Sequence, residues 1–220
     1  MASIASTIDH TLLKPDARAA DIERLCAEAI EHGFYSVCVN SSRVALAARL
    51  LAGSNVKIAA VTGFPLGAMS REGKEHETRL AVRDGADEID TVIAIGHLKD
   101  GDTTYVLNDL KAIVSAAEGC PVKVILETSL LTHEEKVLGC QLSVEAGAAF
   151  VKTSTGFAGG GATVEDVKLF RETVGFACKV KASGSIRDTA TALAMIEAGA
   201  DRLGTSAGVA IVNGLAGQGY

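Results

Sequence analysis

Four glycine turns of one kind punctuate this chain, and each feeds a short β-prone run. Gly33-Phe34 precedes Ser36-Val37-Cys38-Val39, Gly85-Ala86 precedes Glu88-Ile89-Asp90-Thr91-Val92, Gly147-Ala148 precedes Phe150-Val151-Lys152, and Gly199-Ala200 precedes Arg202-Leu203-Gly204. An amphipathic stretch stands before each turn. Glycine just past a helix adopts the left-handed C-cap without a Cβ penalty, so these turns end helices and begin strands. Strands joined by helical crossovers run parallel, and a parallel sheet needs its faces covered by those helices.

Filling the gaps between the turns places strands near residues 6–12, 35–39, 57–62, 88–94, 122–127, 150–154, 179–182 and 202–205. The intervening helices cover roughly 18–32, 42–52, 70–84, 103–117, 132–146, 164–174, 188–198 and 207–213. Eight units in 220 residues is roughly 27 per unit, close to the ~30 that a βαβ repeat needs. The expected fold is therefore α/β, a closed (β/α)8 barrel of the TIM type. An open sheet of eight parallel strands is the alternative, because periodicity does not reveal closure. Thr163, three residues before Asp166, has the spacing of a capping box, and prolines 15 and 65 break the chain just after strands one and three. No linker or low-complexity tract interrupts the pattern, so residues 1–220 are expected to form a single barrel domain.

Apolar residues make up 48% of the chain but aromatics only 4%, so the core must be built from Ala, Val, Ile and Leu. A formal net charge of -6, spread along the chain, argues against nucleic acid or an anionic membrane as partner. The cysteines, Cys26, Cys38, Cys120, Cys140 and Cys178, are odd in number and widely spaced, as expected of reduced thiols in a cytoplasmic protein. The first residues lack the pattern of a signal peptide, and no run approaches the ~20 apolar residues of a membrane span. The five histidines show no metal-ligand spacing, so no metal is expected, and no dinucleotide fingerprint follows strand one.

In such a barrel the site is assembled at the C-terminal ends of the strands. Those positions read Asp9, Asn40, the Gly63-Phe64-Pro65 turn, Asp90, Glu127, Lys152, Lys181 and the Gly204-Thr205-Ser206 loop. Lys152 and Lys181 fall on consecutive strands, which lie ~4.8 Å apart in a parallel sheet. Two inward ammoniums ~5 Å apart repel by about 3 kcal/mol at an effective dielectric of ~20, and burial acts in the same direction. The result is a larger fraction of neutral amine, the form that attacks a carbonyl to make an imine. The alternative reading has one lysine anchoring an anion and the other closing a strand-end salt bridge. Asp90, inside an apolar run, is expected to be ionised and to carry or relay a proton, or else to neutralise a structural ion pair. Asp9 and Glu127 are expected either to orient the lysines or to serve a purely structural role. Gly184-Ser185 after strand seven and Gly204 to Gly208 after strand eight suit a phosphate cradle of backbone amides and a helix N-terminus. Thr155 and Gly156 open the loop after strand six, which is expected either to cover a substrate or to idle.

Taken together, Ile8-Asp9-His10-Thr11-Leu12-Leu13-Lys14, Cys38-Val39-Asn40, Gly63-Phe64-Pro65-Leu66-Gly67, Gly85-Ala86-Asp87-Glu88-Ile89-Asp90, Phe150-Val151-Lys152-Thr153-Ser154-Thr155-Gly156-Phe157 and Val180-Lys181-Ala182-Ser183-Gly184 closely resemble deoxyribose-phosphate aldolase. The resemblance runs from about residue 8 to 212. It implies a class I, metal-independent and cofactor-free aldolase that reversibly splits 2-deoxy-D-ribose 5-phosphate into acetaldehyde and D-glyceraldehyde 3-phosphate. It also implies that Lys152 forms the Schiff base, Lys181 perturbs its pKa and Asp90 works in the proton relay. By the same resemblance, Gly184, Ser185, Gly204 and Ser206 hold the phosphate. The partners are then a small sugar phosphate and aldehydes, with a homodimer as the base-rate expectation for a barrel with apolar helices. Other Schiff-base aldolases with a different donor, and a non-catalytic sugar-phosphate-binding barrel, are the alternatives. Three positions depart from the family pattern: Ser185 replaces a common glycine, Ala94 a frequent asparagine, and Tyr220 ends the chain where some members carry a mobile active-site tyrosine.

Overall fold

The computed structural model describes residues 4–217, so Tyr220 lies outside the described residues. Eight parallel strands close into a barrel in chain order: β1 (Ile8–Leu12), β2 (Ser36–Asn40), β3 (Lys57–Thr62), β4 (Glu88–Val92), β5 (Val122–Ile125), β6 (Phe150–Lys152), β7 (Lys179–Ser183) and β8 (Arg202–Thr205). β8 returns to β1, with Asp9 opposite Gly204. The principal crossover helices are α1 (Ala19–His32), α2 (Val44–Leu50), α3 (Arg71–Arg83), α4 (Ile95–Lys99), α5 (Thr103–Ala116), α6 (His133–Glu145), α7 (Val164–Val174), α8 (Thr189–Glu197) and α9 (Gly208–Val212). Closure removes the edges that the open-sheet alternative would leave unpaired. No helix among the described residues is long and apolar enough to cross a membrane.

All four punctuating glycines have positive φ, from 65° at Gly33 to 112° at Gly199, as their C-cap role requires. Several boundaries differ from expectation. The chain enters β1 through a 3-10 turn, Ile4–Thr7, so the strand starts two residues late. β4 ends at Val92 because the chain turns into α4, a helix the sequence pattern did not indicate. Another 3-10 turn, Ser41–Arg43, precedes α2. The box expected at Thr163 is only half made. Its hydroxyl accepts the Asp166 N–H at 3.0 Å, but the Asp166 carboxylate pairs with Lys136 at 2.7 Å and not with the cap backbone.

Alternation along the strands sorts side chains to the two faces of the barrel. Val37, Val39, Ile58, Ala60, Ile89, Val122, Val124, Val151, Val180 and Leu203 belong to the continuous apolar layer that also contains the buried faces of the helices. The residues between them form the interior. Between β1 and β3 that interior holds an apolar cluster of Leu13, Cys38, Ala59 and Val61 backed by Phe64. From β4 round through β8 to β1 it carries Glu88, Asp90, Lys123, Lys152, Lys181, Arg202 and Asp9, all buried. The barrel therefore has an oily half and an ionic half.

Candidate active site

Strand register creates the ionic half. Asp90 stands opposite Lys123, Lys152 opposite Lys181, and Lys181 opposite Arg202. Directly paired residues in a sheet point to the same face, so these side chains meet inside. Lys152 Nζ and Lys181 Nζ each lie 2.8 Å from the same oxygen, Asp90 Oδ2. The two lysines predicted to act together share one carboxylate oxygen.

Their environments are unequal. Lys181 is sealed, with 0% exposure, and also donates to Asp9. Burial by itself would lower the Lys181 pKa, but Asp9 and Asp90 overcome it and raise it above the ordinary lysine value, so the ammonium persists. The Lys152 pKa is lowered, first by burial; Asp90 opposes that and Lys181 repulsion adds to it. Repulsion from Lys181 acts in the same direction as burial, as expected, but is the smaller of the two causes. Lys152 is 3% exposed and reaches the wall of a cavity at the barrel mouth.

Asp90 is held well below the usual carboxylate range. Burial alone would raise it, but Lys123, Lys152 and Lys181 together prevail. It is ionised, as expected. Asp9 pairs with Lys181, but it is the second residue of β1, below the strand end, and its other oxygen takes Arg202 Nη1 at 2.8 Å. Its pKa is also lowered, with Lys181, Lys123 and Arg202 overcoming the cost of burial. Glu127 does not orient either lysine. It has a left-handed backbone, φ 59°, and its carboxylate accepts from the backbone N–H and hydroxyl of Thr155.

The cavity brings all six predicted binding residues together: Thr155, Gly156, Gly184, Ser185, Gly204 and Ser206. Ala162 N–H donates to the Gly184 carbonyl at 3.0 Å, fastening the loop after β6 to the loop after β7. The Thr205 hydroxyl donates to Ile186 O at 2.7 Å, fastening the loop after β8 to the same place. Two glycines are required by space. A Cβ on Gly184 would lie 3.0 Å from Gly161 Cα, and one on Gly204 would lie 2.9 Å from Ser183 Cβ and 3.0 Å from Lys181 Cε. Ser185 occupies a left-handed conformation at φ 61°, the glycine-favouring region. α9 has only five residues, so this wall of the cavity presents loop amides and hydroxyls more than a helix N-terminus. Ala94, the other departure, is buried at the entry to α4 and does not line the cavity.

Sequence reading missed Lys123, Glu88, Arg202 and Arg187. Arg187 is an exposed cation on the cavity wall. Lys123 and Arg202 are 0% and 6% exposed. A lysine at the second position of Val122-Lys123-Val124-Ile125, between outward-facing valines, was the available signal.

Comparison with known proteins identifies the family. The model for DeoC/LacD family aldolases matches residues 3–214. Deoxyribose-phosphate aldolase 1 of Bacillus licheniformis is 62% identical over 213 residues, covering 96% of each chain. A structure solved under the name deoxyribose-phosphate aldolase from Coccidioides immitis superposes with a TM-score of 0.94 at 45% identity, covering 96% of this chain and 84% of that one. The deoxyribose phosphate aldolase of Aeropyrum pernix, described as a tetramer, superposes at 0.89 with 34% identity, covering 96% and 89%. This chain belongs to the DeoC/LacD aldolase family.

Proposed function

We propose that this protein is a class I deoxyribose-phosphate aldolase in which Lys152 is the Schiff-base nucleophile. The observation that carries the residue assignment is exposure: Lys152 borders the cavity formed by the glycine and serine loops, whereas Lys181 is sealed beneath it. Lys152 also has the lowered pKa that an attacking amine needs, and Lys181 the raised one that keeps a permanent charge beside it.

The substrate phosphate sits among Gly184, Ser185, Gly204 and Ser206, with Arg187 adding charge at the rim and Thr155 and Gly156 closing the opposite wall. Lys152 Nζ attacks the C1 aldehyde of open-chain 2-deoxy-D-ribose 5-phosphate. The carbonyl oxygen leaves as water, taking one proton from the amine and one from the surrounding hydrogen-bond chain, and a cationic imine remains. The C2–C3 bond then breaks. Its electron pair becomes the C1–C2 double bond of a neutral enamine, while the C3 hydroxyl loses its proton and becomes the carbonyl of D-glyceraldehyde 3-phosphate. Protonation at C2 and hydrolysis release acetaldehyde and restore Lys152. Asp90 aligns Lys152 and Lys181 through one shared oxygen and works in the relay that supplies and removes protons during water loss and C2 protonation.

The whole chain acts as one barrel domain in the cytoplasm, without a cofactor, and its partners are small molecules and further copies of itself. Borohydride reduction in the presence of 2-deoxy-D-ribose 5-phosphate, followed by peptide mapping, tests the assignment. An adduct is expected on Lys152 and none on a Lys152→Met variant. An adduct on Lys181, or none on the native protein, overturns it; release of dihydroxyacetone or pyruvate from other sugars would indicate a different donor.

A further inference from the structure

The ionic contacts in the barrel interior close on themselves. Lys123 Nζ lies 2.6 Å from Asp90 Oδ1 and 2.6 Å from Glu88 Oε2. Arg202 Nη1 connects Glu88, at 3.2 Å, to Asp9, at 2.8 Å. Lys181 connects Asp9 back to Asp90. Three carboxylates and three cations therefore alternate in a ring, each touching two groups of opposite sign and each buried. Arg202 also lies 3.3 Å over the centre of the Tyr35 ring, which fixes its plane. Lys152 is outside the ring and contacts it at one point, Asp90 Oδ2.

We propose that this closed, electrically neutral ring keeps Lys152 as the free amine, with Glu88, Lys123 and Arg202 acting as positioning residues for the reaction. The inference rests on Lys152 being the Schiff-base nucleophile. A protonated Lys152 would be a fourth cation facing three carboxylates, each already in contact with two others, and an uncompensated buried charge is the arrangement a protein interior least tolerates. The remaining groups facing Lys152 do not change this count. Cys38, from β2, has its thiol pKa pushed up by burial and stays neutral. Glu127, after β5, turns its carboxylate onto Thr155. Asp9 from β1, Glu88 and Asp90 from β4, Lys123 from β5, Lys181 from β7 and Arg202 from β8 are the ring itself.

Loss of a ring cation leaves an unmatched negative charge that a protonated Lys152 would satisfy; loss of a ring carboxylate does the opposite. The acidic limb of kcat/KM against pH reports the free-enzyme group that must be deprotonated. In Lys123→Met that limb is expected to move to higher pH by about one unit, and in Glu88→Gln to lower pH by a similar amount. The double variant, which removes one charge of each sign, is expected to return it close to the native position. Packing damage would lower activity without shifts of opposite sign and without this restoration. Single variants that are folded by circular dichroism and shift the same way or not at all, or a double variant that stays displaced, overturn the proposal. If Lys123→Met does not fold, Arg202→Met against Glu88→Gln gives the same contrast from a cation out of contact with Lys152. A trapped adduct on another lysine would refute the assignment of Lys152 itself, whereas an adduct on Lys152 with immobile pH profiles would refute the ring alone.

Discussion

Ser185 holds a left-handed backbone in the loop after β7, where its hydroxyl and Cβ crowd the site a side chain at Gly161 would need. An L-residue with a side chain pays roughly 1 kcal/mol for that conformation, less the chain entropy a glycine would lose on folding. Ser185→Gly is therefore expected to stabilise the protein by roughly 0.5 kcal/mol, read as a higher urea midpoint at unchanged slope. A lower midpoint would mean that the hydroxyl contributes more than the strain costs. This conditional was legible in the sequence, because a serine replacing a glycine raises the question of φ; only coordinates supply the angle. The inequality of Lys152 and Lys181 was legible only in part. Two strand lysines one unit apart announce a pair, but the oxygen they share, and the opposite directions of their pKa shifts, depend on Asp90, 62 and 91 positions away.

Gly204 shows what an element contributes. It lies in β8 between Arg202 and Ser206, opposite Asp9 on one side and Ser183 on the other, and its missing side chain makes room for the Lys181 stem. Gly204→Ala places a methyl 3.0 Å from Lys181 Cε and 2.9 Å from Ser183 Cβ. Overpacking of this kind costs about 1–3 kcal/mol. Because the lysine stem is one of the two things that must move, kcat is expected to fall by at least about tenfold while the protein remains folded, with Tm lower by a few degrees. Near-native activity would show that the strand shifts as a body. The helix C-caps were readable because a glycine turn is a local device. α4 was not, since Ile95-Gly96-His97-Leu98-Lys99 is too short to display a helical period; Leu98 is nevertheless buried there, in the layer that packs on the barrel.

At the scale of the whole molecule, the ionic half of the interior ties stability to pH. Asp9 and Asp90 both have folded pKa values below the ordinary 3.8. A carboxyl depressed on folding stabilises the native state fully above its unfolded pKa, and that contribution disappears as pH falls toward the folded value. Stability measured by urea unfolding is expected to be flat above about pH 5 with respect to these groups and to drop by a few kcal/mol on going below about pH 4. A midpoint unchanged between pH 5 and pH 3 would contradict the strong ion pairing of both. The glycine turns, the helical crossovers and the placing of Lys152 and Lys181 on consecutive strands were determined by the sequence alone, because turns, periodicity and local motifs act over a few residues. The ring was decided by tertiary structure. Its members, Asp9, Glu88, Asp90, Lys123, Lys181 and Arg202, span nearly the entire chain, and only barrel closure, which puts β8 beside β1, turns a row of buried charges into a closed and neutral circuit.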